Sequence, residues 1–191
     1  PTKDKIELNN KAIEDIQNKV YYILNKPAGY VTTCAGKDDR NVMDIVKVPE
    51  RVFPVGRLDK DTTGLLLLSN DGVIAYRLTH PKFEHEKEYM VQATMPIKSE
   101  QLNKLREGMK LFGRKTNPTK IRRLSAKRFT IVLTEGKNRQ IRRILPKVGA
   151  WVKKLQRIRI ENLMLGALQV GETRKLTESE LKELKRRLKV T

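Results

Sequence analysis

One stretch of the sequence decides the fold: Gly56-Arg57-Leu58-Asp59-Lys60-Asp61-Thr62-Thr63-Gly64-Leu65-Leu66-Leu67-Leu68-Ser69-Asn70-Asp71-Gly72. A charged loop between two glycines leads directly into four consecutive leucines, and turn residues follow. This pattern predicts a buried strand that ends in a tight turn. Because such a strand is rigid, the loop before it holds its polar groups firmly at a strand end, where a precise site is best built.

Two other interpretations fit part of this loop. Asp59, Asp61, Thr63 and Gly64 match the first half of a calcium-binding loop, but the closing Glu would fall at position 70, which is Asn70. An ordinary polar turn would also explain the segment taken alone. Further motifs are therefore needed to choose between a turn and a site.

The elements on either side of the loop do not alternate regularly between strand and helix. Apolar or alternating runs predict strands over residues 21–24, 30–33, 88–94, 120–124, 129–133 and 151–160. Helices are predicted over 41–46, 73–79 and 99–107. A further helix is predicted to begin at a cap on Asn138 and to kink or end early at Pro146. A last helix is predicted after the capping box of Thr177 and Glu180. This mixture favours an α+β fold with a mixed, mostly antiparallel sheet and flanking helices.

The charge of the chain indicates a polyanionic partner. The 191 residues contain 41 Lys and Arg against 22 Asp and Glu, a formal net charge of +19. A small domain needs far less charge for solubility alone. RNA, DNA and acidic membranes would each suit this surplus on charge alone. The length suits one large domain or two small lobes that share a cleft.

Several classes of protein are disfavoured by composition. The one cysteine, Cys34, excludes an internal disulfide, and two histidines, His80 and His85, are too few for a Cys/His zinc site. No apolar run approaches the about 18 residues of a transmembrane helix. We therefore expect no metal, no cofactor and no membrane, and a cytoplasmic location.

Other stretches accompany the loop in a fixed order. They are Lys87-Glu88-Tyr89-Met90-Val91, Glu135-Gly136-Lys137-Asn138-Arg139-Gln140-Ile141-Arg142-Arg143, Lys153-Lys154-Leu155-Gln156-Arg157-Ile158-Arg159, and Leu165-Gly166-Ala167-Leu168 followed by Gly171-Glu172-Thr173-Arg174. With the loop, they resemble the pseudouridine synthases, in the RsuA-like branch that modifies single ribosomal RNA sites. Within that branch, the chain is most similar to members that modify a uridine near the peptidyl-transferase region of large-subunit RNA.

The resemblance implies a domain organisation and an activity. It covers roughly residues 20–185 and implies the pseudouridine synthase fold with a central catalytic cleft. Residues 1–19 are expected to be a leader or linker, the remnant of an N-terminal RNA-binding domain. Residues 20–191 would form the catalytic domain, with two lobes at about 20–85 and 86–191. The implied activity is isomerisation of a specific uridine in structured RNA, with no cofactor.

The resemblance also assigns roles to individual residues. Asp59 would be the catalytic carboxylate, which attacks the base or the ribose, or abstracts a proton. Arg142 would bind that carboxylate through two hydrogen bonds and lower its pKa. Tyr89 would stack on the target base with its hydroxyl near C5, and Leu155 would line the far side of the base.

The target uridine must leave its stack to reach such a pocket. Arg57 would help to fill the space that the base vacates, or to guide the base out of it. Basic side chains would offset the cost of flipping through phosphate contacts. The candidates are Lys26, Lys60, Lys137, Arg139, Arg143, Lys153 and Lys154. The basic C-terminal helix is interpreted as a solvated face.

Three alternatives to an enzyme remain open on the sequence. A non-catalytic RNA-binding ribosome-assembly factor with the same fold would explain the charge, but not the joint presence of Asp59, Tyr89 and Arg142. A DNA-binding protein lacks a recognisable motif. A membrane-surface protein needs an amphipathic helix with a larger apolar face. The expected partner is therefore ribosomal RNA, with transfer RNA as a second candidate, and a monomer is the simplest state.

Overall fold

The structure, a computed structural model, describes residues 7–8, 11–12, 18–34 and 40–190. In this part of the chain, nine strands form one sheet and two further pairs stand apart from it. In chain order the strands are β1 (Glu7–Leu8), β2 (Lys11–Ala12), β3 (Tyr21–Lys26), β4 (Phe53–Val55), β5 (Thr63–Ser69), β6 (Lys87–Ala93), β7 (Lys110–Leu111), β8 (Arg114–Lys115), β9 (Lys120–Arg123), β10 (Arg128–Leu133), β11 (Val152–Ile160), β12 (Leu163–Met164) and β13 (Thr173–Lys175). The sheet order is β13-β3-β5-β11-β6-β10-β9, with β4 paired to β5 and β12 paired to β11.

The sheet is mixed, as the sequence predicted. β3, β4 and β13 form antiparallel pairings on one side, and β6, β9 and β10 do so on the other. The two sides meet at β5 and β11, which pair in parallel through Thr63–Gln156 and Gly64–Arg157. This central pairing brings the start of β5, and so the loop before it, against the middle of β11.

Gly64 allows that close pairing. Its φ is +103°, a region that favours glycine. A Cβ at this position would lie 2.2 Å from the Arg157 carbonyl oxygen. The glycine at the end of the charged loop is therefore required by the approach of β11.

Helices flank the sheet: α1 (Gly72–Thr79), α2 (Ser99–Arg106), α3 (Gln140–Ile144) and α4 (Glu178–Leu188). Asp71 caps α1 by accepting from the amides of Val73 and Ile74 at 2.9 and 3.3 Å. The capping box predicted for α4 is present, since Thr177 and Glu180 each accept from the other's backbone amide. With the mixed sheet, these helices confirm the predicted α+β class.

The structure corrects two of the predicted elements. Residues 30–33 are not a strand but pair only through a bridge of Val31 with Asn41, because Thr32 is bonded to the backbone of Leu58 instead. The helix predicted over 41–46 is a single 3-10 turn, Val42–Asp44, closed by a capping box with Asn41.

The start of α3 also differs from the prediction, while its end agrees. The cap residue is Arg139, in the left-handed region at φ 48°, and not Asn138. The α-helix stops at Ile144 and a 3-10 turn containing Pro146 follows, as expected for a residue that lacks an amide hydrogen. Arg139 is therefore turned out of the helical path, toward the loop before β5.

The apolar core divides into clusters on the two faces of the sheet. Leu65 and Leu67 pack toward α1 and α4, while Leu66 and Leu68 pack toward the segment around Val42. A further cluster lies under α2 and α3 and includes Phe129 and Leu155. All four leucines of the central strand are fully buried.

The predicted leader over residues 1–19 lies mostly outside the described residues. Within it, β1 and β2 pair antiparallel. No helix in the described part of the chain is long and apolar enough to cross a membrane.

Candidate active site

The segment over residues 56–62, the Asp59 loop, is fixed by backbone hydrogen bonds. The Thr62 amide donates to the Asp59 carbonyl at 3.0 Å, which closes a four-residue turn. The Thr32 hydroxyl donates to the Leu58 carbonyl at 2.9 Å and accepts from the Leu58 amide at 3.2 Å. The backbone on both sides of Asp59 is thus held in place, and its carboxylate stays 30% exposed.

Lys26 is the main correction to the predicted RNA contacts. Its side chain is fully buried, and its ammonium donates to the carbonyls of Pro27, Lys60 and Thr62 at 2.9, 3.3 and 3.0 Å. Burial lowers the pKa of Lys26 to about 8, against the opposing effect of the Asp61 and Asp59 charges. Because its ammonium is buried, Lys26 cannot reach a phosphate. It instead holds the Asp59 loop in place through its hydrogen bonds to the carbonyls of Lys60 and Thr62.

The predicted two-bond contact between Arg142 and Asp59 is not formed. Arg142 Nη2 instead donates to the Asp61 carbonyl at 3.1 Å and lies 3.3 Å from Asp61 Oδ2. Arg139 donates from both Nη atoms to the two Asp61 carboxylate oxygens at 3.1 Å each. Arg139 Nη1 also lies 3.9 Å from Asp59 Oδ2, so it is the guanidinium that neighbours the candidate carboxylate.

Asp61 is therefore a site residue that the sequence indicated only as part of a possible calcium-binding loop. Its burial raises its pKa, but the hydrogen bonds from Arg139 and the charge of Arg142 outweigh that effect and lower the pKa overall. The guanidinium groups occupy the oxygens that a calcium ion would need from Asp61. The signal was present, since Asp61 lies two residues from Asp59 in the same loop.

A cleft of about 540 Å³ opens beside Asp59. Tyr89 on β6 and Leu155 on β11 line it from neighbouring strands, and the Thr63 hydroxyl donates to the Leu155 carbonyl at 3.3 Å. The predicted residues that line this cleft are Arg57, Asp59, Lys60, Tyr89, Lys137, Arg139 and Leu155. An aromatic ring, an aliphatic side chain and a carboxylate suit a flat base with an attached ribose.

The remaining predicted cations lie outside this lining. Lys153 and Lys154 line a second groove of about 550 Å³, together with Met90 and Gln92. Since Met90 and Gln92 alternate with Tyr89 along β6, this groove is on the opposite face of the sheet. Arg143 is exposed on α3 and donates to the backbone and side chain of Asn138.

The inner part of the cleft contains cationic and polar groups that sequence reasoning missed. Burial, helped by the charge of Arg157, lowers the pKa of Lys87 to about 8, while the charge of Glu161 opposes this. Arg157 Nη2 and His85 Nε2 are buried without a hydrogen-bond partner. Lys87 lies two residues before Tyr89, so strand alternation indicates that it shares the face of Tyr89.

The fold and the cleft agree with a family of RNA-modifying proteins. The family described as RNA pseudouridylate synthase matches residues 20–147, and the chain belongs to this family. The family membership expected from the ordered motifs is thereby confirmed.

The relatives to which the chain is similar are named as pseudouridine synthases. The chain is 39% identical over 183 residues to the dual-specificity RNA pseudouridine synthase RluF of Escherichia coli (strain K12), covering 95% of this chain and 63% of RluF. It is 40% identical over 192 residues to the ribosomal large subunit pseudouridine synthase B of Bacillus subtilis (strain 168), covering 95% of this chain and 78% of that protein. The chain thus spans about 63% of the length of RluF.

A solved structure supports the same fold. A crystal structure of a pseudouridylate synthase superimposes with a TM-score of 0.82 at 33% identity, covering 94% of this chain and 80% of the other. This similarity confirms the predicted fold class. The individual roles predicted for Asp59, Tyr89 and Leu155 stay predictions.

Proposed function

We propose that this protein isomerises a specific uridine to pseudouridine in structured ribosomal RNA, with large-subunit RNA as the substrate. The observation that carries the proposal is the position of the Asp59 carboxylate in a cleft that Tyr89 and Leu155 also line. The names of the relatives, which include a ribosomal large subunit pseudouridine synthase, support this choice of substrate.

The reaction breaks the bond from ribose C1′ to base N1 and forms a bond from C1′ to C5. The proton on C5 is lost and a proton is gained at N1, so substrate and product have the same composition. No electrons are transferred to another molecule, so no redox cofactor is required. A carboxylate that attacks, or that accepts a proton, must be ionised, and Nη1 of the Arg139 guanidinium lies 3.9 Å from Asp59 Oδ2.

The other side chains are assigned to binding and positioning. Tyr89 stacks on the base and brings its hydroxyl near C5, and Leu155 packs against the far side of the ring. Arg139 and Arg142 act through Asp61, since both bind it and thereby fix the loop that carries Asp59. This arrangement replaces a direct contact of Arg142 with Asp59.

The flipped uridine requires contacts on the surrounding RNA. Flipping costs a few kcal/mol, which phosphate contacts from basic residues offset. Arg57, Lys60 and Lys137 line the cleft and are suited to this role, and Arg57 would fill or guide the space that the flipped base vacates. We further propose a monomer in the cytoplasm, in which residues 20–191 form a catalytic domain of two lobes and residues 1–19 are a linker.

Tritium release tests the proposal. Ribosomal RNA labelled with tritium at uridine C5 loses the label to water when the C5 proton is replaced. We expect release from large-subunit RNA at no more than one equivalent of tritium per RNA, since one uridine is the target. Transfer RNA belongs in the same assay, because the name of RluF includes dual specificity.

The outcomes separate an enzyme from a binding protein. Binding to ribosomal RNA without tritium release from any RNA would overturn the proposal. It would favour a non-catalytic ribosome-assembly factor with the same fold. Equal binding to duplex DNA in competition would argue against RNA as the specific partner.

A further inference from the structure

Hairpin β7–β8 presents an exposed aromatic ring at its tip. Phe112 and Gly113 form the turn, with φ angles of 51° and 79°, and the Phe112 side chain is 61% exposed. Two positive φ angles are typical of a type I′ turn, where Asn and Gly are the usual residues. A bulky residue in this conformation is an outlier, and here it places an apolar ring in solvent.

The hairpin is fixed at its base and tethered at its tip. At the base, the Met109 amide donates to the Thr116 hydroxyl at 3.0 Å and the Thr116 amide donates to the Met109 carbonyl at 2.9 Å. At the tip, the Arg143 guanidinium lies 5.0 Å from the centre of the Phe112 ring. Arg143 is held in turn by Asn138, which lines the cleft beside Asp59. The ring is therefore linked through Arg143 to Asn138, a residue of the cleft lining.

Among the described residues, the cations around the ring have no acidic partners. Lys110, Arg114 and Lys115 are exposed, and within the described part of the chain none of them forms an ion pair. An aromatic ring flanked by uncompensated cations matches the composition of single-stranded nucleic-acid sites, where bases stack and cations bind the backbone. A protein partner would have to present acidic groups matched to these three cations, whereas a nucleic-acid strand carries a phosphate at every nucleotide.

We propose that hairpin β7–β8 binds an unpaired stretch of the substrate RNA, with Phe112 stacked on a base and the three cations on the neighbouring phosphates. The proposal rests on the proposed function, which makes RNA the partner. Arg139 and Arg142 extend from α3 to the Asp59 loop, while Arg143 extends to the hairpin.

Binding of two labelled RNAs tests the aromatic contact. One is a fluorescein-labelled stem-loop with unpaired loop nucleotides, and the other is a fully paired duplex of equal length. We expect Phe112→Leu, which keeps an apolar side chain but removes the ring, to bind the stem-loop about tenfold more weakly and the duplex unchanged. Phe112→Tyr should restore binding, and Val170→Ala, at a similarly exposed apolar residue, should have no effect.

The salt dependence of binding tests the cationic contact separately. Replacing Lys110, Arg114 and Lys115 together by Gln should reduce the slope of log affinity against log salt by about 2, while Phe112→Leu should leave the slope unchanged. Equal affinity of Phe112→Leu and parent for the stem-loop, an equal loss for both RNAs, or failure of Phe112→Tyr to restore binding would overturn the proposal. These measurements need no turnover, so an absence of tritium release would overturn the proposed activity and leave the hairpin result standing.

Discussion

Arg139 and Asp61 form an ion pair through two hydrogen bonds of 3.1 Å each, which joins the start of α3 to the loop that carries Asp59. Arg142 binds the same carboxylate and the backbone carbonyl of Asp61. The Asp61 side chain therefore orients two guanidinium groups. One of them, that of Arg139, lies 3.9 Å from the Asp59 carboxylate. Asp61 is expected to position the site without contacting the substrate.

Asp61→Asn should separate positioning from binding. The amide keeps the shape but loses the two-bond ion pair, so Arg139 and the Asp59 loop gain freedom. We expect kcat to fall about tenfold to a hundredfold, the scale of a small misplacement of reacting groups, with little change in KM for RNA. Glu100→Gln, which breaks a surface ion pair with Lys104 on α2, is the matched control. A kcat equal to that of the control would contradict the positioning role.

The pH dependence of stability gives a second test of Asp61. Because its pKa in the folded protein is below the ordinary 3.8, its ionised form stabilises the fold at neutral pH, and that contribution is lost as the pH falls through the lowered pKa. Asp61 is 47% exposed, so the contribution should be below about 1 kcal/mol. Urea unfolding of the parent and Asp61→Asn should differ at pH 7, and the difference should shrink as the pH falls below 3.8. A difference that grew on acidification would contradict this account.

Lys26→Met should damage the Asp59 loop and not simply RNA affinity. It leaves the carbonyls of Pro27, Lys60 and Thr62 without their donor, which should cost about 1–3 kcal/mol of unfolding free energy and reduce kcat. Lys153→Met removes an exposed lysine and should leave stability within about 0.5 kcal/mol of the parent. Thermal melting and steady-state kinetics of Lys26→Met and Lys153→Met make the comparison. Equal stability of both variants would show that the hydrogen bonds of the buried Lys26 ammonium do not stabilise the fold.

Two glycines form a matched pair for testing the central parallel pairing. Gly64→Ala would place a Cβ 2.2 Å from the Arg157 carbonyl oxygen in a backbone conformation that disfavours side chains. It should therefore destabilise the fold by at least about 2 kcal/mol. Gly72→Ala meets nothing within 4 Å, and at the start of α1 it should be neutral or slightly stabilising. Similar unfolding curves for the two variants would mean that the fold does not depend on the close approach of β5 and β11 at Gly64.

Local patterns predicted much of the fold. The leucine run of β5 is buried as expected, the box of Thr177 and Glu180 caps α4, and the α-helix of α3 ends before Pro146. Each of these features depends on neighbours within a few residues, which is the range that periodicity and capping rules cover. The ordered motifs added the family, which composition could not supply.

The partners of charged side chains could not be predicted in this way. Lys26 was expected on the surface because lysine is rarely buried, yet its ammonium donates to the neighbouring Pro27 carbonyl and to the carbonyls of Lys60 and Thr62, which are distant in sequence. Arg139 and Arg142 bind Asp61 because a left-handed residue at the start of α3 turns Arg139 toward the loop. Such contacts depend on the positions of segments about 80 residues apart in sequence.

Tritium release by Asp59→Asn, measured beside the parent, tests the central claim most directly. The substitution keeps the shape of the side chain and removes its charge, and RNA binding is measured on the same samples. We expect RNA affinity equal to or slightly higher than that of the parent, since a negative charge is removed, with release reduced roughly a thousandfold or more. Release at the parent's rate by Asp59→Asn would contradict the account, because the cleft would then work without its carboxylate.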